Sequence, residues 1–233
     1  MHANLFLLCS EPTTWYGATA ERLRMAKPYA QEMSKLLQTL EWASEVDIEP
    51  LQAAVSAASG AALRAIGSGG SLSAAYGLAF LHRQIARQIA IVETPLEAVA
   101  GQLAGSHSAW LLSAGGGNVD ILAAFKALVA REGRQLAVLC GRADSPLGGL
   151  AQQHGYVDFL PYAPPAGRDG FLATNSLLGF VALLTRAYLA ALSEGQPDWA
   201  EVLSHVAPLA SPNGQAASEW QAASDTLWSR PTT

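Results

Sequence analysis

The stretch AIGSGGSLSAA, Ala65 to Ala75, decides how the chain is read. A short apolar run ends there in three glycines and three serines, and a helical pattern begins directly after them. A strand that breaks into a glycine turn and re-enters as a helix is the opening move of an α/β sheet. Working outward, the same alternation repeats. Apolar runs at Ala62 to Ile66, Gln88 to Val92, Ala109 to Ser113, Leu136 to Cys140 and Tyr156 to Leu160 predict five strands. Helical patterns lie between and after them at Ser71 to Ala86, Pro95 to Gly101, Asn118 to Arg131, Pro146 to Gln153 and Gly170 to Leu192. The runs are continuous rather than alternating, as strands buried on both faces require, so the fold class is α/β with a parallel sheet covered on each side.

Before this region, Leu23, Ala26, Ala30, Met33, Leu37 and Leu40 fall at steps of three and four, which predicts one amphipathic helix over residues 19 to 45. After Leu192 the composition turns to Ser, Pro, Gln and Trp. The expected division is an amino-terminal arm and helix over residues 1 to 45, an αβα domain over 46 to 195, and a linker with a helical tail over 196 to 233.

Bulk composition narrows the function. The 233 residues are 50% hydrophobic and 14% charged, with a net charge of -5. A chain with no basic excess lacks the cations that neutralise a phosphate backbone, so nucleic acid is not an expected partner. Cys9 and Cys140 stand far apart and no Cys/His spacing resembles a metal site, so neither metal nor cofactor is expected. Leu5 to Cys9 is too short for a signal core, and Leu177 to Leu192 is interrupted by Arg186, so the reading is cytoplasmic with no membrane partner.

A second glycine-rich junction, LLSAGGGNVDIL from Leu111 to Leu122, follows the third strand. Glycines let backbone N–H groups approach an anion, and a helix start adds unpaired donors with partial positive charge. Ser71, Ser113 and Asn118 bring side-chain hydrogen bonds to the same two loops. The plainer use of Ser and Asn at such places is helix capping. GSGGSL has Gly67 and Gly69 of a dinucleotide fingerprint but Leu72 at its third position, and neither loop has the Gly-Lys-Ser/Thr ending of a P-loop. TPLE, Thr94 to Glu97, reads as a capping box, and Asp144 or Ser145 with Pro146 as another helix start.

Taken in order, AIGSGGSLSAAYGLAFLH, WLLSAGGGNVDILAAFKALVAREGRQLAVLCGRADSPLGGLAQ and GFLATNSLLGFVALLTRAYLAAL resemble the sugar isomerase, or SIS, domain, as typified by the first such domain in the isomerase half of glucosamine-6-phosphate synthase. The likeness covers roughly residues 45 to 195. It implies a three-layer αβα sandwich with a five-stranded parallel sheet and a phosphosugar ligand. By that resemblance Ser68, Gly69, Gly70 and Ser71 form the first phosphate loop, and Ser113, Gly115, Gly116 and Asn118 the second. The family's second serine and its threonine are replaced here by Gly115 and Asn118, which removes two hydroxyl donors. Thr174 falls in the segment whose backbone lies against the sugar in relatives.

The resemblance further implies a homodimer and a sugar-phosphate isomerase or deglycase, with a second SIS domain following. The alternative is a non-catalytic phosphosugar-sensing or dimerisation module. Isomerisation needs a general base and usually a histidine to open the ring. None of His2, His82, His107, His154 and His205 aligns with a family histidine, and the catalytic set is unassigned. His82 is expected to be partly exposed or at an interface, and His107 to lie in the loop before the third strand. Trp15, Tyr16, Trp199, Trp220 and Trp228 are expected to pack on the domain or on another subunit.

Overall fold

The computed structural model describes residues 29–101, 106–170 and 173–193. The predicted helix over 19 to 45 falls partly outside them. Its remaining part is two helices, α1 (Tyr29–Met33) and α2 (Leu36–Glu45), parted by a turn at Ser34 and Lys35. The Trp15 and Tyr16 arm, Cys9 and the tail with its tryptophans also lie outside the described residues.

The remaining elements follow the alternation read from the sequence, with one addition. They are α3 (Glu49–Ala58), β1 (Ala62–Gly67), α4 (Gly70–Leu81), β2 (Ala90–Glu93), α5 (Pro95–Ala100), β3 (His107–Ser113), α6 (Val119–Val129), β4 (Gln135–Cys140), α7 (Pro146–Ala151), β5 (Val157–Pro161) and α8 (Asn175–Leu192). Helix α3 is the addition. The five strands form one parallel sheet in the order β2-β1-β3-β4-β5.

Alternate strand residues feed two cores. Leu63, Ala65, Trp110, Leu112, Ala137, Leu139 and Leu160 face α3, α4 and α8, whereas Ile66, Ala109, Leu111, Leu136 and Val138 face α6 and α7. The result is a three-layer αβα sandwich. Helix α8 is long and apolar enough to cross a membrane by length and composition, yet Phe180, Leu183, Leu184, Ala187 and Tyr188 of it are buried against the sheet layer. Its Arg186 reaches back to the carbonyls of Ala43 (2.5 Å) and Val46 (3.0 Å), where the exposed carbonyls at the end of α2 favour a cation.

Helix starts are chemically explicit. Thr94 and Glu97 form a reciprocal capping box at α5, and the Thr94 backbone N–H followed by its hydroxyl holds the Glu97 carboxyl below its ordinary range. Ser145, not Asp144, caps α7 by accepting the Gly148 N–H at 3.0 Å.

Two histidine expectations change. His82 is fully buried, in a π-helical turn that extends α4. Its Nε2 lies 2.9 Å from the Ala61 carbonyl and its Nδ1 2.8 Å from the Tyr188 hydroxyl. His107 is the first residue of β3, paired in register with Ala62.

Candidate functional site

Strand β1 leads to β2 on one side of itself and the chain then returns to place β3 on the other. The loops leaving β1 and β3 therefore diverge from neighbouring strands, and open α/β sheets bind ligands in the crevice that such a reversal creates. Here the crevice is a cleft of about 180 Å³ lined by Ser68 and Ser71 from the first loop and Ser113 to Asn118 from the second, together with Leu112 and Ile121. The two glycine-rich turns face one another.

Backbone conformation explains the glycines that matter. Gly69 and Gly116 have φ of 56° and 61°, the left-handed region that side chains disfavour. At Gly116 a Cβ would also strike the Ser145 side chain, and the Gly116 carbonyl accepts the Leu147 N–H at 2.9 Å, so the second loop is fastened to the start of α7.

The serines link the two loops. Ser71 Oγ accepts the Ala114 N–H at 3.3 Å, and Ser113 Oγ accepts the Gly116 N–H at 3.0 Å. A hydroxyl oxygen that accepts from the backbone keeps its own O–H to donate elsewhere. The Asn118 side chain has a different duty: its Oδ1 accepts the N–H groups of Asp120 (2.8 Å) and Ile121 (3.2 Å), capping α6. Of the residues read from the sequence, Ser68, Ser71, Ser113, Gly115, Gly116 and Asn118 come together in the cleft. Gly69 forms the N-cap of α4, and Gly70 begins that helix against Ala173.

Beside the cleft lies a larger chamber of about 770 Å³ that shares Ala114, Gly115, Gly117 and Asn118 with it. Its other walls come from Gly141 and Arg142 after β4, the 163–169 loop, and Ala173 and Ser176 at the start of α8. Thr174 turns away from this space. Its hydroxyl faces Glu32 Oε2 at 3.2 Å and Asp169 Oδ1 at 3.5 Å. Glu32 is buried and also accepts the Gly170 N–H, so α1 holds the chamber wall in place.

Arg142, Arg168 and Asp169 are the charged residues of the chamber, and the sequence reading singled out none of them. A lone arginine after a strand carries no local signal of function. The three described histidines sit at the opposite edge of the sheet: His82 against the residue before β1, His107 at the first position of β3, and His154 ahead of β5.

Solved structures share this architecture. A Vibrio vulnificus NanR protein complexed with ManNAc-6P matches with a TM-score of 0.55 at 20% identity, over 82% of this chain and 72% of that one. An Escherichia coli CFT073 protein in complex with arabinose 5-phosphate matches with a TM-score of 0.57 at 19% identity, over 78% of this chain and 97% of that one. The C-terminal domain of glucosamine-fructose-6-phosphate aminotransferase from Francisella tularensis matches with a TM-score of 0.59 at 13% identity, over 77% of this chain. The fold is of the SIS type. This chain spans about half the length of some of these SIS-fold structures, 52% of the Francisella one and 52% of a Thermotoga maritima glucosamine-6-phosphate deaminase. No protein-family model and no curated protein sequence matches it.

Proposed function

We propose that this chain binds a phosphorylated sugar, with the phosphate between the 67–71 and 113–118 loops and the sugar in the adjoining chamber. One observation carries the reading: Ser71 and Ser113 both accept backbone N–H groups of the second loop, which leaves their O–H protons for an anion in a cleft without a carboxylate. Two of the SIS-fold neighbours were solved with sugar phosphates, ManNAc-6P and arabinose 5-phosphate, which fits the same ligand class.

Binding without turnover is the form of the reading that the described residues favour. Asp169 is the carboxylate lining the chamber, and both of its oxygens are taken by the start of α8. His82, His107 and His154 are at the far edge, so no described histidine reaches the crevice to open a ring. The reading includes a homodimer of a single SIS-type domain, with isomerisation or deglycation requiring groups beyond those described.

Thermal-shift titration tests this, because a ligand that binds the native state alone raises Tm. Sugar phosphates are expected to raise Tm and their parent sugars to leave it unchanged. Ser113→Ala removes one donor to a charged group and is expected to weaken phosphosugar binding by about tenfold. No shift with any sugar phosphate refutes the proposal, and turnover of fructose 6-phosphate by the purified chain refutes the non-catalytic form of it.

A further inference from the structure

The serine-lined cleft accounts for one anion, but the chamber beside it carries charge of its own. Arg142, Arg168 and Asp169 line that space. Asp169 is already engaged: Oδ1 accepts from the Asn175 N–H at 3.1 Å and the Thr174 hydroxyl at 3.5 Å, and Oδ2 from the Ser176 N–H at 2.9 Å and the Ser176 hydroxyl at 2.5 Å. What the wall presents to a ligand is therefore guanidinium.

Arg142 follows Gly141 at the carboxyl end of β4, on the chamber side of the second glycine loop. Its fork is held by Asp144 through two parallel contacts, Nε to Oδ1 at 3.3 Å and Nη2 to Oδ2 at 3.1 Å. Both side chains are open to water, 52% and 79% exposed. An ion pair this exposed contributes little and exchanges its partner easily, while the planar fork suits a carboxylate better than any other group. Asp144 thus shows which chemistry Arg142 accepts, and a ligand carboxylate can take its place at small cost.

We propose that the ligand is a phosphorylated sugar acid, whose phosphate sits between the two glycine loops and whose carboxylate displaces Asp144 from Arg142. This rests on the phosphosugar reading above and narrows its substrate class. A sugar with a neutral terminus gives Arg142 no reason to leave Asp144.

Calorimetric titration with two open-chain probes tests it: 6-phosphogluconate and glucitol 6-phosphate, which differ at one terminal carbon as carboxylate or hydroxymethyl. The native chain is expected to bind 6-phosphogluconate about tenfold more tightly, a charge-assisted contact's worth of affinity. Arg142→Gln is expected to abolish that preference and leave glucitol 6-phosphate affinity unchanged. Asp144→Asn, which frees the fork, is expected to enlarge the preference. Both substitutions are on exposed side chains, so Tm without ligand should match the native chain. Equal affinity of the native chain for the two probes, or a preference that survives Arg142→Gln, overturns the sugar-acid inference while the phosphosugar reading stands. Binding of neither probe overturns both.

Discussion

His82 has its protonation written into its surroundings. The Ala61 carbonyl can only accept, so Nε2 carries the hydrogen and Nδ1 accepts from the Tyr188 hydroxyl, which fixes the neutral tautomer. Burial lowers the His82 pKa from 6.5 and outweighs the opposing effect of the Ala61 bond, while burial raises that of Tyr188. The unfolded chain therefore takes up this proton more readily than the folded one. Stability is full above about pH 6.5 and falls as pH drops from there through the lower folded value. Urea unfolding at pH 7.5 and pH 5 should show the loss, and His82→Gln should flatten it although the variant is less stable at pH 7.5. An unflattened profile would assign the acid sensitivity elsewhere. None of this was legible in the sequence, because the two partners are 21 and 106 residues away. Asn118 teaches the converse: ligating and capping use the same residue types, and only the direction of Oδ1 tells them apart.

At the level of elements, α4 begins where α8 does. Gly70 packs so closely on Ala173 that a Cβ on the glycine would overlap the alanine methyl. Gly70→Ala is expected to cost about 1–3 kcal/mol by overpacking, and Ala173→Gly in the same chain should recover part of it. A double-mutant cycle by chemical denaturation measures the coupling, and additive losses would mean the two starts do not touch. Strands were the most legible elements, since a parallel strand covered on both faces must be apolar at every position, as Leu136 to Cys140 are. Helix α3 was missed because EPLQAAVSAA is short and alanine-rich, with Leu51, Ala54, Val55 and Ala58 too small in contrast with their neighbours to mark a stripe. The break between α1 and α2 is equally silent: no proline or glycine occupies Ser34 or Lys35, and the packing of α2 on α8 decides it. Thr174 was expected at the sugar on the strength of its neighbours in sequence, and its partner Glu32 lies 142 residues earlier.

Across the whole molecule, one ion pair spans the sheet. Arg64, buried in the middle of β1, donates through Nε to Glu93 Oε2 of β2 at 2.7 Å and turns Nη1 toward His107 Nε2 at 3.4 Å. Removing one member of a buried pair leaves a charge without compensation. Glu93→Gln is expected to destabilise the fold by about 3–5 kcal/mol, whereas Arg64→Met with Glu93→Leu should lie near neutral. Denaturant midpoints decide it, and a Glu93→Gln change below about 1 kcal/mol would show that the pair is dispensable. In the sequence Glu93 read as a generic acid near a strand end, and only the β1–β2 register places Ile66 beside it and brings Arg64 within reach.

The crevice between β1 and β3 is built from serine, glycine, alanine, leucine, isoleucine and asparagine. No side chain of that set gains or loses a proton between mild acid and mild base. Its hold on an anion consequently has no acidity setting of its own, and the guest supplies one instead: a phosphate monoester sheds its second proton near pH ~6. Such a pocket registers the ionic form of what enters it, while the acid-sensitive histidine at the far edge of the sheet answers to the solvent alone.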